Sequence, residues 1–121
     1  MEFLRQHPRV KNLRWSGHPD SKANFQKIAR RSDAFASMIS FTVDGPLAGF
    51  YDRLRLPKGA SFGMKTTLVC PFIFLAHYDL VTSDAGVLTL RECGLEPELV
   101  RLSLGCEPAE DIIDSLAEAL S

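Results

Sequence analysis

Apolar and polar positions alternate with period two most clearly over Met38-Ile39-Ser40-Phe41-Thr42-Val43, where β-branched and aromatic residues interleave with small polar ones until Asp44-Gly45 stops the run. That is the strongest strand signal in the chain. Val10-Lys11-Asn12-Leu13-Arg14 predicts a shorter strand, followed by the turn-forming Trp15-Ser16-Gly17-His18-Pro19. A third strand is predicted over Leu99 to Leu104, with Val100, Leu102 and Leu104 on one face and Arg101 and Ser103 on the other. Elsewhere the spacing is helical. Asp20 or Ser21 can cap a helix reaching about Arg31, with Ala23, Phe25, Ile28 and Ala29 as a loose apolar stripe. Pro46 suits a first helical position ahead of Leu47, Phe50, Tyr51 and Leu54, and Pro57-Lys58-Gly59 ends that helix. Ser83 can cap a helix running to Cys93, after which Gly94 supplies a left-handed stop. The clearest helix opens at Pro108, with Ile112, Ile113, Leu116, Ala117 and Leu120 on one face and Glu107, Glu110 and Asp111 near the positive end of its dipole. Ala60 to Ala76 has no clean period and reads as strand and loop.

The resulting order, β-α-β-α-(β)-α-β-α, has connections too short for large crossovers and no internal repeat, so the expected architecture is a small α+β layer sandwich. With 121 residues, 45% of them apolar and 24% charged, residues 1–121 are expected to form one globular domain. A chain of this length buries roughly two thirds of its unfolded surface and needs no disulfide or metal staple. Leu68 to Ala76, the longest apolar stretch, is interrupted by Pro71 and falls far short of the roughly 20 residues of a membrane span. The first seven residues lack the apolar core of a secretion signal, and Cys70, Cys93 and Cys106 are odd in number, which points to a reducing, cytoplasmic compartment. Charge is unevenly placed. Residues 1–65 hold twelve Lys/Arg against five Asp/Glu, a block of +7, and residues 66–121 hold two against ten, a block of −8. The basic residues are spread over several elements without interleaved aromatics, so attraction between the halves of one fold is preferred to nucleic-acid binding.

Candidate chemistry starts at Arg101. A guanidinium in an apolar strand cannot discharge, so it needs a carboxylate or phosphate against its planar fork. Two readings follow: binding of an external anion, or a salt bridge to a carboxylate of this chain, which the pattern alone favours. The second candidate is Gly59-Ala60-Ser61-Phe62-Gly63-Met64-Lys65-Thr66-Thr67-Leu68, where glycines flank a serine and two threonines follow. Its spacing is neither that of a phosphate-binding Walker loop nor that of a nucleophile elbow. The cysteines and His7, His18 and His77 show no metal-ligand spacing, and no catalytic triad or carboxylate pair is legible. These residues alone do not make an enzyme.

Taken in order, however, they resemble one family. His7-Pro8-Arg9-Val10 and Gly17-His18-Pro19 look like the His-Pro-x-Val strand opening and the Pro-Gly-x-x-x-His-Pro turn of the Cys/Met-metabolism pyridoxal-phosphate enzymes, which include the cystathionine γ-synthases, the cystathionine lyases and the methionine γ-lyases. Ser37 to Val43 with Asp44-Gly45 is similar to that family's SFEL-x-G strand. Ser61 to Leu68 looks like a degenerate S-L-G-G-x-E-S-L, with Thr66 in place of the glutamate, and Leu99 to Glu107 is close to L-V-R-L-S-V-G-I-E. The likeness spans nearly the whole chain and corresponds to the family's C-terminal domain.

The resemblance implies a fold-type I small domain, an antiparallel sheet covered by helices that packs on a large cofactor-holding domain. It implies that Arg101 binds the substrate α-carboxylate, that Ser61 lies beside cofactor and substrate, and that Phe62 forms a wall of the site. Ala60 stands where cystathionine-handling members often carry Glu, which argues against a substrate with a distal amino-acid end. The family's Schiff-base lysine lies in a Ser-x-Thr-Lys segment, and none of Lys11, Lys22, Lys27, Lys58 and Lys65 has that context. The chain is therefore expected to hold no pyridoxal phosphate by itself and to supply substrate-carboxylate binding to a PLP-dependent transsulfuration-type lyase or synthase. The competing reading is a stand-alone, non-catalytic α+β scaffold or oligomerisation module. Leu68 to Leu75 is apolar enough to suggest that part of it is covered by another surface, and hence a homo-oligomer.

Overall fold

The computed structural model describes all 121 residues. Its four strands, β1 (Val10–Trp15), β2 (Met38–Val43), β3 (Leu68–Pro71) and β4 (Val100–Ser103), form one antiparallel sheet in the order β1-β2-β4-β3. Seven helices accompany it: α1 (Glu2–Gln6), α2 (Pro19–Gln26), α3 (Leu47–Arg53), α4 (Phe72–Ala76), α5 (Tyr78–Val81), α6 (Asp84–Glu92) and α7 (Ala109–Leu120). The expected antiparallel sheet with helices is thus the observed architecture.

Alternation decides which face is buried. Ile39, Phe41 and Val43 of β2, Val69 of β3, and Val100 and Leu102 of β4 point to one side, where they meet Leu4 of α1, Phe50 of α3 and Ile112, Leu116, Ala119 and Leu120 of α7 in a single core cluster. The rings of Phe41 and Phe50 pack edge to face, 6.0 Å apart. Register places Ser40, Arg101 and Cys70 in one row across the opposite face, and Met38, Ser103 and Leu68 in the next. Val10 and Leu13 are three residues apart, yet both pack against the core. A bulge between Lys11 and Arg14 makes this possible, with Asn12 left-handed at φ 51° and its side-chain Nδ2 donating to Thr42 Oγ1 at 3.2 Å.

Several expectations shift at their ends. The second helix starts at Pro19, because His18 Nδ1 accepts the Asp20 amide at 3.3 Å and so takes the capping role expected of Asp20 or Ser21. It stops at Gln26, well before Arg31, and buries no residue; of its loose stripe, Phe25 and Ala29 are half-buried while Ala23 and Ile28 stand in solvent. Pro46 and Pro108 sit one position earlier than expected, each flanking its helix. Helix α1 carried no sequence signal, being five residues long. The Ser83 cap and the Gly94 stop, at φ +72°, are where the pattern puts them.

The segment without a clean period resolves into β3 followed by α4. Val69 and Cys70 are both fully buried, one on each face of the sheet, so alternation is absent from the sequence. Most of Leu68 to Leu75 therefore belongs to this chain's own interior, and only Phe74 and Leu75 are exposed. The argument from that run to a second copy falls with it.

Two polar ties hold the ends of this architecture. Arg9, ahead of β1, donates from Nη1 to the carbonyls of Leu120 and Ser121 at 2.9 and 3.0 Å and from Nε to the Asp44 carbonyl at 3.1 Å. A cation thus meets the negative end of α7 and locks it to the β1–β2 edge. Glu107, just before α7, accepts the Thr67 amide and the Thr67 hydroxyl, both at 2.7 Å, and the same hydroxyl accepts the Gly105 amide at 2.9 Å. A Cβ at Gly105 would run into the Lys65 carbonyl, the Thr67 nitrogen and the Glu107 carboxylate, so only glycine fits. The Thr67 donors hold the Glu107 carboxyl below the usual glutamate range.

Arg9→Met is expected to cost about 1–2 kcal/mol of stability, read as a lower urea midpoint with an unchanged slope. For Glu107 the depressed folded value means that its contribution is complete above the ordinary value of about 4.3 and is lost as pH falls through that value and the lower folded one. Urea midpoints of wild type and Glu107→Gln are therefore expected to converge as pH is lowered from about 5 to about 3, with the wild type ahead only at the upper end.

Candidate functional site

Arg101 lies in the middle of β4, on the face away from the core, between Ser40 of β2 and Cys70 of β3. Its neighbours in the strand, Val100 and Leu102, are buried, so the backbone is rigidly held while the side chain is half-buried. No carboxylate of this chain forms an ion pair with it; the six ion pairs all involve other residues. The salt bridge that the pattern alone favoured is absent. Instead the guanidinium carbon lies 4.2 Å from the centre of the Phe72 ring and 5.1 Å from that of Phe62, a double cation–π contact. One nitrogen, Nη2, donates to the Ala60 carbonyl at 3.0 Å. A guanidinium carries five N–H donors, so this bond leaves several free for a planar anion.

The loop between Gly59 and Thr67 is brought to Arg101 by named contacts. At its start, the Gly59 amide donates to the Val69 carbonyl and the Val69 amide to the Pro57 carbonyl, both at 3.1 Å. In its middle, the Gly63 amide donates to Ser103 Oγ at 3.1 Å, with Gly63 left-handed at φ +70°. At its end, the Cys106 amide donates to the Lys65 carbonyl at 2.7 Å, next to the Glu107–Thr67 tie. Ser61, exposed and free of hydrogen bonds within the chain, is bracketed by Ala60 and Phe62, both of which touch Arg101. The structure thus brings Phe62 onto Arg101 and leaves Ser61 beside it in the chain, with no hydrogen bond between Ser61 and Arg101.

Three residues at the site escaped the sequence. Phe72 lay in the stretch without a period, and its ring becomes the nearer of the two faces on Arg101. Ser103 was read as Arg101's companion on the outer face, but its buried hydroxyl is what anchors the loop. Glu107 was read as a charge for the dipole of the last helix; it reaches back instead to a threonine 40 positions earlier. The chain's pockets lack such convergence. A groove of about 220 Å³ between α1 and α7 is almost wholly apolar, and its one carboxylate, Glu107, is already engaged.

The residues present do not fit pyridoxal phosphate. All five lysines are exposed. Lys22 borders a shallow cleft whose other cation, Arg5, is taken by Glu2, and Lys11 borders one lined by Asp44, Glu96 and Glu98, which repels a phosphate. Neither encloses a Schiff base or supplies a partner for a pyridine nitrogen. Cys70 is buried in the sheet, while Cys93 and Cys106 are exposed free thiols. No helix is long and apolar enough to cross a membrane.

Comparison with known proteins gives this site its context. The model of a family described as Cys/Met metabolism PLP-dependent enzyme matches residues 1–121. The chain is 37% identical over 117 residues to the L-2-amino-4-chloropent-4-enoate dechlorinase/desaturase of Streptantibioticus cattleyicolor, a match covering 97% of this chain and 23% of that protein. It is 30% identical over 119 residues to the cystathionine gamma-synthase of Neurospora crassa, covering 97% of this chain and 18% of that one. Among solved structures, a cystathionine gamma-lyase from Micromonospora echinospora superposes with a TM-score of 0.79 at 29% identity, over 98% of this chain and 30% of the other. The chain thus spans less than a third of the length of these relatives. By sequence and by fold, it belongs to the Cys/Met metabolism family of PLP-dependent enzymes.

Proposed function

We propose that this chain is the C-terminal, substrate-carboxylate-binding domain of a PLP-dependent transsulfuration-type lyase or synthase acting on sulfur-containing or O-acyl amino acids. Its partner is a large domain that carries the cofactor and the Schiff-base lysine, which the relatives' three- to fivefold greater length leaves room for. The observation that carries the proposal is Arg101: a fixed positive charge on a central strand, without an acid of its own chain, cushioned by two aromatic rings and with free N–H donors.

In this reading Arg101 takes the α-carboxylate of the substrate through paired hydrogen bonds and so sets the orientation of the amino acid. Phe62 and Phe72 keep water from the faces of the guanidinium, which strengthens the interaction at its edge. Ser61 offers a hydroxyl next to the same anion, and Phe62 forms one wall. The cofactor's chemistry belongs to the partner domain, and this chain contributes recognition and positioning.

Replacing Arg101 by Ala in the enzyme formed with that large domain is expected to lower kcat/KM by about tenfold to over a hundredfold, the worth of a charged hydrogen bond of roughly 1.5–3 kcal/mol. Unchanged kinetics would remove the assigned role. The 121-residue chain mixed with pyridoxal phosphate is expected to show no stoichiometric borohydride-reducible adduct. A single reduced lysine, located by peptide mass, would contradict the division of labour.

A further inference from the structure

The basic and acidic halves of the chain do little to neutralise each other on folding. Of the six ion pairs, only Arg55 with Glu118 joins residues 1–65 to residues 66–121, so the attraction expected between the halves is met by one contact. Lys22 on α2 and Glu110 on α7 are both exposed and in no ion pair. They stand at opposite ends of one apolar strip. On one side of α1 the groove of about 220 Å³ runs along α7 past Phe3 and Ile113, and on the other a cleft of about 310 Å³ reaches Trp15, Phe35 and Lys22. Met1, Ile39 and Leu104 line both, so groove and cleft are continuous. Glu110 follows Ala109, which lines the groove, and lies one helical turn from Ile113. Along the strip Phe35, Met1 and Ile113 are 60%, 42% and 36% exposed. Scattered apolar side chains are ordinary on a surface, whereas these share one strip with opposite charges at its ends.

We infer that this strip is the contact surface of a two-fold dimer of the chain, with Lys22 of each copy set against Glu110 of the other. A two-fold axis running across the strip at its middle exchanges its ends, so each cation meets an acid and both apolar stretches are covered at once. An axis along the strip would instead set Lys22 on Lys22. Twelve residues line the groove and ten the cleft, with three shared, which approaches the about 20–30 residues a side of a stable interface. The strip lies on the helix-covered side of the sheet, so pairing there leaves the Arg101 face open. It also owes nothing to the run from Leu68 to Leu75.

The test is sedimentation of the 121-residue chain from micromolar concentration up to about 100 µM, where a closed dimer of twice 13.4 kDa is expected. Ile113→Lys is expected to weaken pairing about a hundredfold, because both copies then put a charge into the apolar stretch. Lys22→Glu and Glu110→Lys are each expected to weaken it about tenfold, since each reversal sets like charges together twice per dimer. An equimolar mixture of these two variants is expected to recover wild-type affinity as a heterodimer, in which both contacts again have opposite sign. Far-ultraviolet circular dichroism checks that each variant keeps its fold. A monomer throughout the range would overturn the inference, and so would assemblies that keep growing with concentration. A dimer that the single reversals do not weaken, or that mixing does not rescue, would overturn it equally.

Discussion

A guanidinium cannot shed its proton, and this fold puts one in the middle of a strand flanked by other strands on both sides. Everything around Arg101 answers that constraint. The strand's inner face is locked by Val100 and Leu102, the outer face supplies aromatic rings in place of a counter-ion, and a backbone carbonyl takes one donor. A local carboxylate would have neutralised the charge and closed the site. Its absence, in a half of the chain that carries ten acids against two bases, leaves Arg101 without an ion pair in this chain, which is what the proposed carboxylate role requires.

The loop beside Arg101 has no helix or strand of its own and is held by hydrogen bonds spaced along it. Glu107 and Thr67 fix one end, Ser103 the middle and Arg101 itself the start. Because Gly105 has to pass within van der Waals contact of Lys65, Thr67 and Glu107, the path from β4 to α7 and the path from the loop to β3 determine each other. The core cluster on the other face then couples α7 to β2 and β4, so the same helix that fills the core also positions the loop through Glu107, two residues before its start. Stability and the path of the loop beside Arg101 share these few atoms, and a change at Glu107 acts on both.

The residues most legible in the sequence were those whose role is local. Alternation separated Arg101 and Ser103 from the core face of β4, helical spacing identified the buried face of α7, and cap chemistry located Ser83 and Gly94. The motif order around Arg101 and Ser61 also pointed to the family to which the chain belongs. Illegible was α1, too short to carry a period; the strand expected within Ala60 to Ala76 could not be bounded, because the two central residues of β3 are buried on opposite faces, and α2 was expected in place but too long.

By itself, then, the sequence determined the types of the longer elements, the core face of the sheet and the chemistry of the candidate residues, because those follow from spacing within a few residues of chain. Only the tertiary structure decided what meets Arg101. Phe72, Phe62 and Ala60 lie 29, 39 and 41 positions away, and no periodicity reports which of fifteen carboxylates or eight phenylalanines folds back onto a given cation. The same holds for Glu107 and Thr67, 40 positions apart. Long-range pairing depends on how the whole sheet closes, with β4 inserted between β2 and the edge strand β3, and that geometry is a property of the packed molecule.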